Sequence, residues 1–300
     1  MTSTAQPSSE PLTETPARVL VGYDGSLSAS AAIEIGASLI PRARAWIGHL
    51  WTPPFASEAL RRRLWKGTAA INEFIDAIER EGAAEANRLS AMGVTLAAAA
   101  GWEGETLVER TYGGEGLQFT QLAERLNPDL VLVGSRGLGG AKAVLGSVSD
   151  MVAHYAARPA LVVSHPLLIA ERADVIDGPV IVGWDGSEGA QAALAAAARL
   201  FPARTLEPAA VGQDARHATA ADGHEVTSLA AEGAHATAAR TVAETLARHA
   251  RRRHAALVVV GSRGRSAVRE VLLGSVAVAT LHHAHRPVLV VPHTASPETS

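Results

Sequence analysis

Residues 19–26 read VLVGYDGS, and residues 180–187 read VIVGWDGS. In each, a short β-branched run without polar alternation ends at a glycine, the pattern of a strand buried on both faces. Such strands belong to parallel sheets covered by helices. Three more blocks recur in the same order. Residues 130–137 (LVLVGSRG) match 257–264 (LVVVGSRG), GSV at 146–148 matches GSV at 274–276, and ARPALVVSHP at 157–166 matches HRPVLVVPH at 285–293. Four blocks repeated in order mark a tandem duplication. The spacing predicts domains over 17–166 and 178–294, a linker over 167–177, and tails at 1–16 and 295–300.

Between the apolar blocks lie Ala-rich stretches with helical spacing. They predict helices over 28–39, 57–91, 118–126 and 147–156 in the first half, and over 188–200, 237–252 and 275–284 in the second. The repeated β-α-β-α order implies a doubly wound α/β fold with helices on both faces of each sheet. The halves are unequal, since Asp24 and Gly134 are 110 positions apart but Asp185 and Gly261 only 76. The second half therefore lacks a counterpart of the 57–91 helix. It is expected to pass from a strand near Leu206–Val211 through a polar loop to a weak strand near Glu225–Leu229.

Composition narrows the function classes. Hydrophobic residues make up 47% of the 300, ample for a buried core, while aromatics are only 4%. That suits Ala-rich helices on a Val-rich sheet better than a β-sandwich. The net charge of −3 supplies no field to hold a polyanion, so nucleic acid is not an expected partner. The chain has no cysteine, which excludes disulfides, thiolate metal sites and thiol catalysis. The stretch MTSTAQPSSEPLTETPAR has no basic start and no apolar core, unlike a secretory signal. Nor does any run reach the ~18 uninterrupted apolar residues of a membrane span. The expectation is a cytoplasmic protein without a membrane partner.

The chemistry concentrates at the glycines. Each half has a strand ending in Gly-Ser-Arg-Gly, then a loop, then Gly-Ser opening a helix: Gly134, Ser135, Arg136, Gly137, then Gly146, Ser147 and Val148; and Gly261, Ser262, Arg263, Gly264, then Gly274, Ser275 and Val276. Glycines after a strand let backbone N–H groups turn into one concavity, and a helix start adds unpaired N–H groups and a positive dipole end. That chemistry suits phosphate. Lys142 and Arg265 can add charge. In an open α/β sheet the ligand crevice lies at strand carboxyl ends where the strand order reverses. Gly22 and Asp24, and Gly183 and Asp185, stand at such an end. A carboxylate there can accept from ribose hydroxyls or an adenine amino group, or hold a phosphate-bound cation. It can equally be the N-cap of the following helix.

Other constellations are weaker. His282 and His285 have metal-ligand spacing, and His283 and His293 lie close by, but a helix end before a strand favours such residues through the dipole alone. No metal site is predicted. Arg251, Arg252, Arg253 and His254 read as a solvated helix end. There is no G-x-S-x-G elbow, no G-x-x-x-x-G-K-[ST] loop and no H-E-x-x-H, and no evident base beyond Asp24 or Asp185. No catalytic residue is assigned, and any hydrolysis of a bound phosphate compound is expected to be slow.

The G-x-x-G, the following G-[ST], the opening V-G-x-D-G-S and the closing R-P-V-L-V-V together resemble the universal stress protein family in its nucleotide-binding subtype. Two copies resemble its tandem-domain actinobacterial members. The resemblance implies, in each half, a five-stranded parallel sheet of order 3-2-1-4-5, the halves pairing through their last strands as a pseudo-dimer that can itself form a homodimer. It implies ATP, with or without Mg2+, in up to two sites, and protein partners in a stress response. Gly134, Gly137, Gly146 and Ser147 match the phosphate positions, Asp24 the acidic contact, and Leu50 the apolar contact to adenine. Gly261, Gly264, Gly274, Ser275, Asp185 and Val211 match them in the second half. Eight residues separate Gly137 from Gly146, against nine between Gly264 and Gly274. Two other readings of the same chain are a slow ATP hydrolase or nucleotide transferase, and a dimerisation scaffold without nucleotide.

Overall fold

A computed structural model describes residues 15–53, 71–135, 145–212, 223–231, 237–264 and 273–292. The first half runs β1 (Ala17–Gly22), α1 (Leu27–Leu39), β2 (Ala43–Trp51), α2 (Ile71–Ala99), β3 (Glu103–Arg110), α3 (Glu115–Leu126), β4 (Leu130–Gly134), α4 (Ser147–Tyr155) and β5 (Ala160–Val163). Helix α5 (Ile169–Asp177) leads to the second half: β6 (Val180–Gly183), α6 (Glu188–Leu200), β7 (Leu206–Val211), β8 (Thr227–Leu229), α7 (Ala238–Arg252), β9 (Leu257–Gly261), α8 (Ser275–His283) and β10 (Val288–Val291).

The strands form one ten-stranded sheet of order β3-β2-β1-β4-β5-β10-β9-β6-β7-β8. Each half keeps the 3-2-1-4-5 order, and all pairs are parallel except β5 with β10. The two expected sheets are therefore joined edge to edge at this antiparallel seam, where Val288, Leu289 and Val290 face Val162, Leu161 and Ala160. Because the seam is antiparallel, the strands of the two halves run in opposite directions, and their carboxyl ends point to opposite edges of the sheet.

Strand side chains alternate between two apolar layers that run through both halves. Val19, Val21, Leu132, Leu161, Val182, Val259 and Leu289 belong to one layer, packed with α1 and α6. Leu20, Val131, Val133, Ile181, Val258 and Val290 belong to the other, with α3, α4, α7 and α8. Burial on both faces is why these strands carry no polar alternation. The outer strand β3 instead bears Glu103, Glu105, Glu109 and Arg110, charges that discourage further strand pairing.

Two sequence expectations shift. The helix placed at 57–91 runs Ile71–Ala99, and residues 54–70 lie outside those described. Ile78, Ala86, Ser90, Gly93 and Ala97 recur at helical spacing on its buried side, so the periodicity continues past the expected end. The stretch placed as a linker contains α5. It links the end of β5 to the start of β6, which lie at one edge of the sheet with β10 and β9 between them. Three strand spacings are about 14 Å, and a nine-residue helix is about 13.5 Å long.

Candidate functional site

Strand order reverses between β1 and β4 in the first half and between β6 and β9 in the second. At each switch the Asp-Gly-Ser turn leaves the first strand of its half and starts α1 or α6. Asp24 Oδ1 accepts from the Ser26 N–H at 3.0 Å, and Ser26 Oγ accepts from the Ala29 N–H at 3.1 Å. Asp185 Oδ1 accepts from the Ser187 N–H at 3.0 Å and its hydroxyl at 2.5 Å, and Ser187 Oγ accepts from the Ala190 N–H at 3.2 Å. The serines are thus the N-caps, and the aspartates fold the turn. Gly25 and Gly186 supply its left-handed residue, at φ 80° and 75°.

The glycines that close β4 and β9 make room for helix starts. A Cβ on Gly134 would lie 2.5 Å from Ser28 Oγ and 2.6 Å from the Ser28 backbone; one on Gly261 would lie 2.5 Å from the Gly189 carbonyl oxygen. Gly22 and Gly183 end β1 and β6. Beyond the strands, Ser135 N–H donates to Val163 O at 2.8 Å and Ser262 N–H to Val291 O at 2.7 Å. Gly146 N–H donates to Ser135 O at 2.8 Å, and Gly274 N–H to Ser262 O at 2.6 Å. Ser135 and Ser262 therefore pin the starts of α4 and α8 beside the ends of β5 and β10. Both serines are buried.

Helices α1, α6 and α7 are capped by the side chains of Ser26, Ser187 and Thr237. Helices α4 and α8 begin at Gly146 and Gly274, which cap with no side chain. Their first turns carry Ser147 and Val148, and Ser275 and Val276. In the second half the acidic turn and the glycine loop meet: a Cβ on Gly264 would lie 2.7 Å from Asp185 Oδ2. The Arg263 carbonyl lies against Gly189, and Arg263 Nε is buried with no hydrogen-bond partner among the described residues. Arg136, Gly137, Lys142 and Arg265 lie outside the described residues.

Leu50 and Val211 occupy the same place in the two halves. Gly22 pairs with Gly48 and Gly183 with Ala209, so each apolar residue stands two positions further along its strand. Leu50 is half-buried and Val211 buried. His49, not singled out in the sequence, places Nδ1 2.8 Å from the Tyr23 carbonyl oxygen, beside Asp24. Ala210 replaces it in the second half. A lone imidazole in the apolar strand run AWIGHLW was the available signal. Tyr23 Oη lies 3.4 Å from Ser30 Oγ, whereas its counterpart Trp184 is buried with Nε1 unpaired among the described residues. Among the described residues no group of three or more His, Asp or Glu side chains is arranged to hold a metal ion.

A family model described as the universal stress protein family matches residues 16–164 and again 178–292. A universal stress protein of Mycobacterium tuberculosis (strain ATCC 25618 / H37Rv) is 33% identical over 187 residues, 54% of this chain. The chain spans 61% of the length of the curated relatives it matches. A universal stress protein from Archaeoglobus fulgidus shares the fold at a TM-score of 0.61 and 19% identity, over 92% of this chain and 98% of its own. An Arabidopsis thaliana family protein solved with AMP bound covers 50% of this chain and 92% of its own, at 21% identity and a TM-score of 0.35. With the family matched twice along two copies of one α/β unit, the chain belongs to the universal stress protein family as a tandem-domain member.

Proposed function

We propose that the protein binds ATP, with Mg2+ on its phosphates, in the crevices at both switch points, and that nucleotide occupancy is its regulatory state. The observation that carries this reading is the second crevice, where the Asp185 carboxylate lies against Gly264. An acidic group for ribose or base and a backbone loop for phosphate thus share one mouth. The start of α8, without a side-chain cap, offers N–H groups and the positive end of a dipole to the phosphates.

In this reading Gly261, Gly264, Gly274 and Ser275 cradle the phosphates, Arg263 adds charge, and Val211 meets the base. Gly134, Gly137, Gly146, Ser147 and Leu50, with Asp24, do the same in the first half. The reading rests on this chain's own crevices rather than on the AMP-bound relative. It places the protein in the cytoplasm with the nucleotide pool; no helix among the described residues is long and apolar enough to cross a membrane. Nucleotide in the crevice changes the surface at 134–147 and 261–275, and so what a protein partner meets.

A thermal shift titration with ATP tests the reading. Gly264→Glu puts bulk and a second negative charge beside Asp185, and Gly137→Glu is the same substitution at the position that matches it in sequence. Wild type is expected to melt higher with ATP and the double variant not to respond. No ATP-dependent shift and no co-purified nucleotide in wild type reject the reading.

A further inference from the structure

Helix α5 is tied at several points to parts of both halves. Val175 is 1% exposed in the apolar layer shared with α1 and α6. Next to it, Asp174 Oδ2 accepts from Arg286 Nη2 at 2.7 Å, and Asp174 Oδ1 lies 3.1 Å from His254 Nδ1. Arg286 is 2% exposed, and its Nη1 donates to the Ala255 carbonyl oxygen. The Arg286 carbonyl accepts from Ser164 Oγ, just past the end of β5, at 3.2 Å. Arg204 Nη2 donates to Val175 O at 2.9 Å and to Ser38 O, in the last turn of α1, at 3.2 Å; its Nη1 donates to Gly178 O at 3.2 Å. Arg172 pairs with Glu34 of α1.

The repeat supplies an internal comparison. Arg158-Pro159 precedes β5 as Arg286-Pro287 precedes β10. Arg158 is half-buried and makes no ion pair among the described residues. The arrangement is one-sided, at the joining helix only. The seam itself pairs three residues of each strand, a short ladder to hold two halves in register.

We propose that the Asp174–Arg286 pair is a clasp that locks α5 onto the second half, and that α5, through Arg204 and Glu34, fixes the orientation of the halves. The chain behaves as one body while the clasp is closed. Losing one member strands a buried charge, which the helix relieves by lifting away.

Amide exchange on the full chain, with calorimetry, tests this. Asp174→Asn is expected to speed exchange over 169–177 by at least ~100-fold and to split the melting of the halves into two transitions. Arg158→Met is expected to change neither. A folded Asp174→Asn protein with wild-type protection over 169–177 and a single transition overturns the proposal. Should that variant not fold, the double variant Asp174→Asn/Arg286→Met decides, because it removes the pair without stranding a charge. Exchange over 169–177 at least ~10-fold faster supports the clasp, and unchanged exchange rejects it.

Discussion

Ser26 and Ser187 hold the first turns of α1 and α6, each accepting from the N–H three residues on. Either serine changed to alanine is expected to cost about 1 kcal/mol, read by urea unfolding. The sequence left each aspartate open as cap or ligand; the turn separates the roles, giving the cap to serine and leaving Asp185 Oδ2 toward Gly264. In Asp185 one carboxylate oxygen folds the turn and the other faces Gly264, so the capping sequence and the crevice coexist.

His249 gives the fold a pH dependence. It is buried, with Nε2 unpaired among the described residues. Burial pushes its pKa below the usual histidine range; Glu207 opposes this, and Arg253 and Arg252 add to it. The unfolded chain, with an ordinary value of about 6.5, then takes up the proton first as pH falls. Stability is expected to drop as pH falls through that value and to level off below the folded pKa. His283, lowered by burial and by Arg240, acts in the same direction. In His249→Leu the fall in urea midpoint between pH 8 and pH 5.5 is expected to shrink, leaving the His283 part; an unchanged fall contradicts the assignment. Asp129 is separable: burial raises its pKa, but hydrogen bonds and charge from Arg18 outweigh that and lower it. Its stabilisation is lost at lower pH than the histidine part, as pH falls from the ordinary aspartate value toward the lowered folded one.

Among the elements, the buried strands were the most legible, because burial on both faces writes itself as an unbroken β-branched run. Helix α5 was not. LLIAERADVIDGP is short and ends in Gly-Pro, which reads as a linker; yet Glu171 sits three residues after Leu168 and accepts its N–H at 2.8 Å, and Gly178-Pro179 stops the helix. Those start and stop signals were present. What the sequence could not supply was the distant partner, Arg286, 112 positions away. The same limit applies to the crevice. Gly134 and Gly261 read in the sequence as phosphate-site glycines at strand ends, and their lack of Cβ also serves the close approach of Ser28 and Gly189. Alanine at either position is expected to destabilise by about 1–3 kcal/mol through overpacking, measured by denaturant midpoint.

Across the whole molecule, two unequal copies of one α/β unit account for the architecture. The two copies share strand order and meet at β5 and β10, so their crevices open toward opposite edges of one sheet. In the second copy Trp184 stands where the first has Tyr23, in one apolar layer with Phe201 and the partly buried Val226. The proposed function requires one adenine nucleotide in each copy. Native mass spectrometry of the intact chain with saturating ATP counts them directly. Two nucleotides in wild type, one in Gly264→Glu and one in Gly137→Glu are predicted; none in wild type, or the same count in all three proteins, contradicts the account.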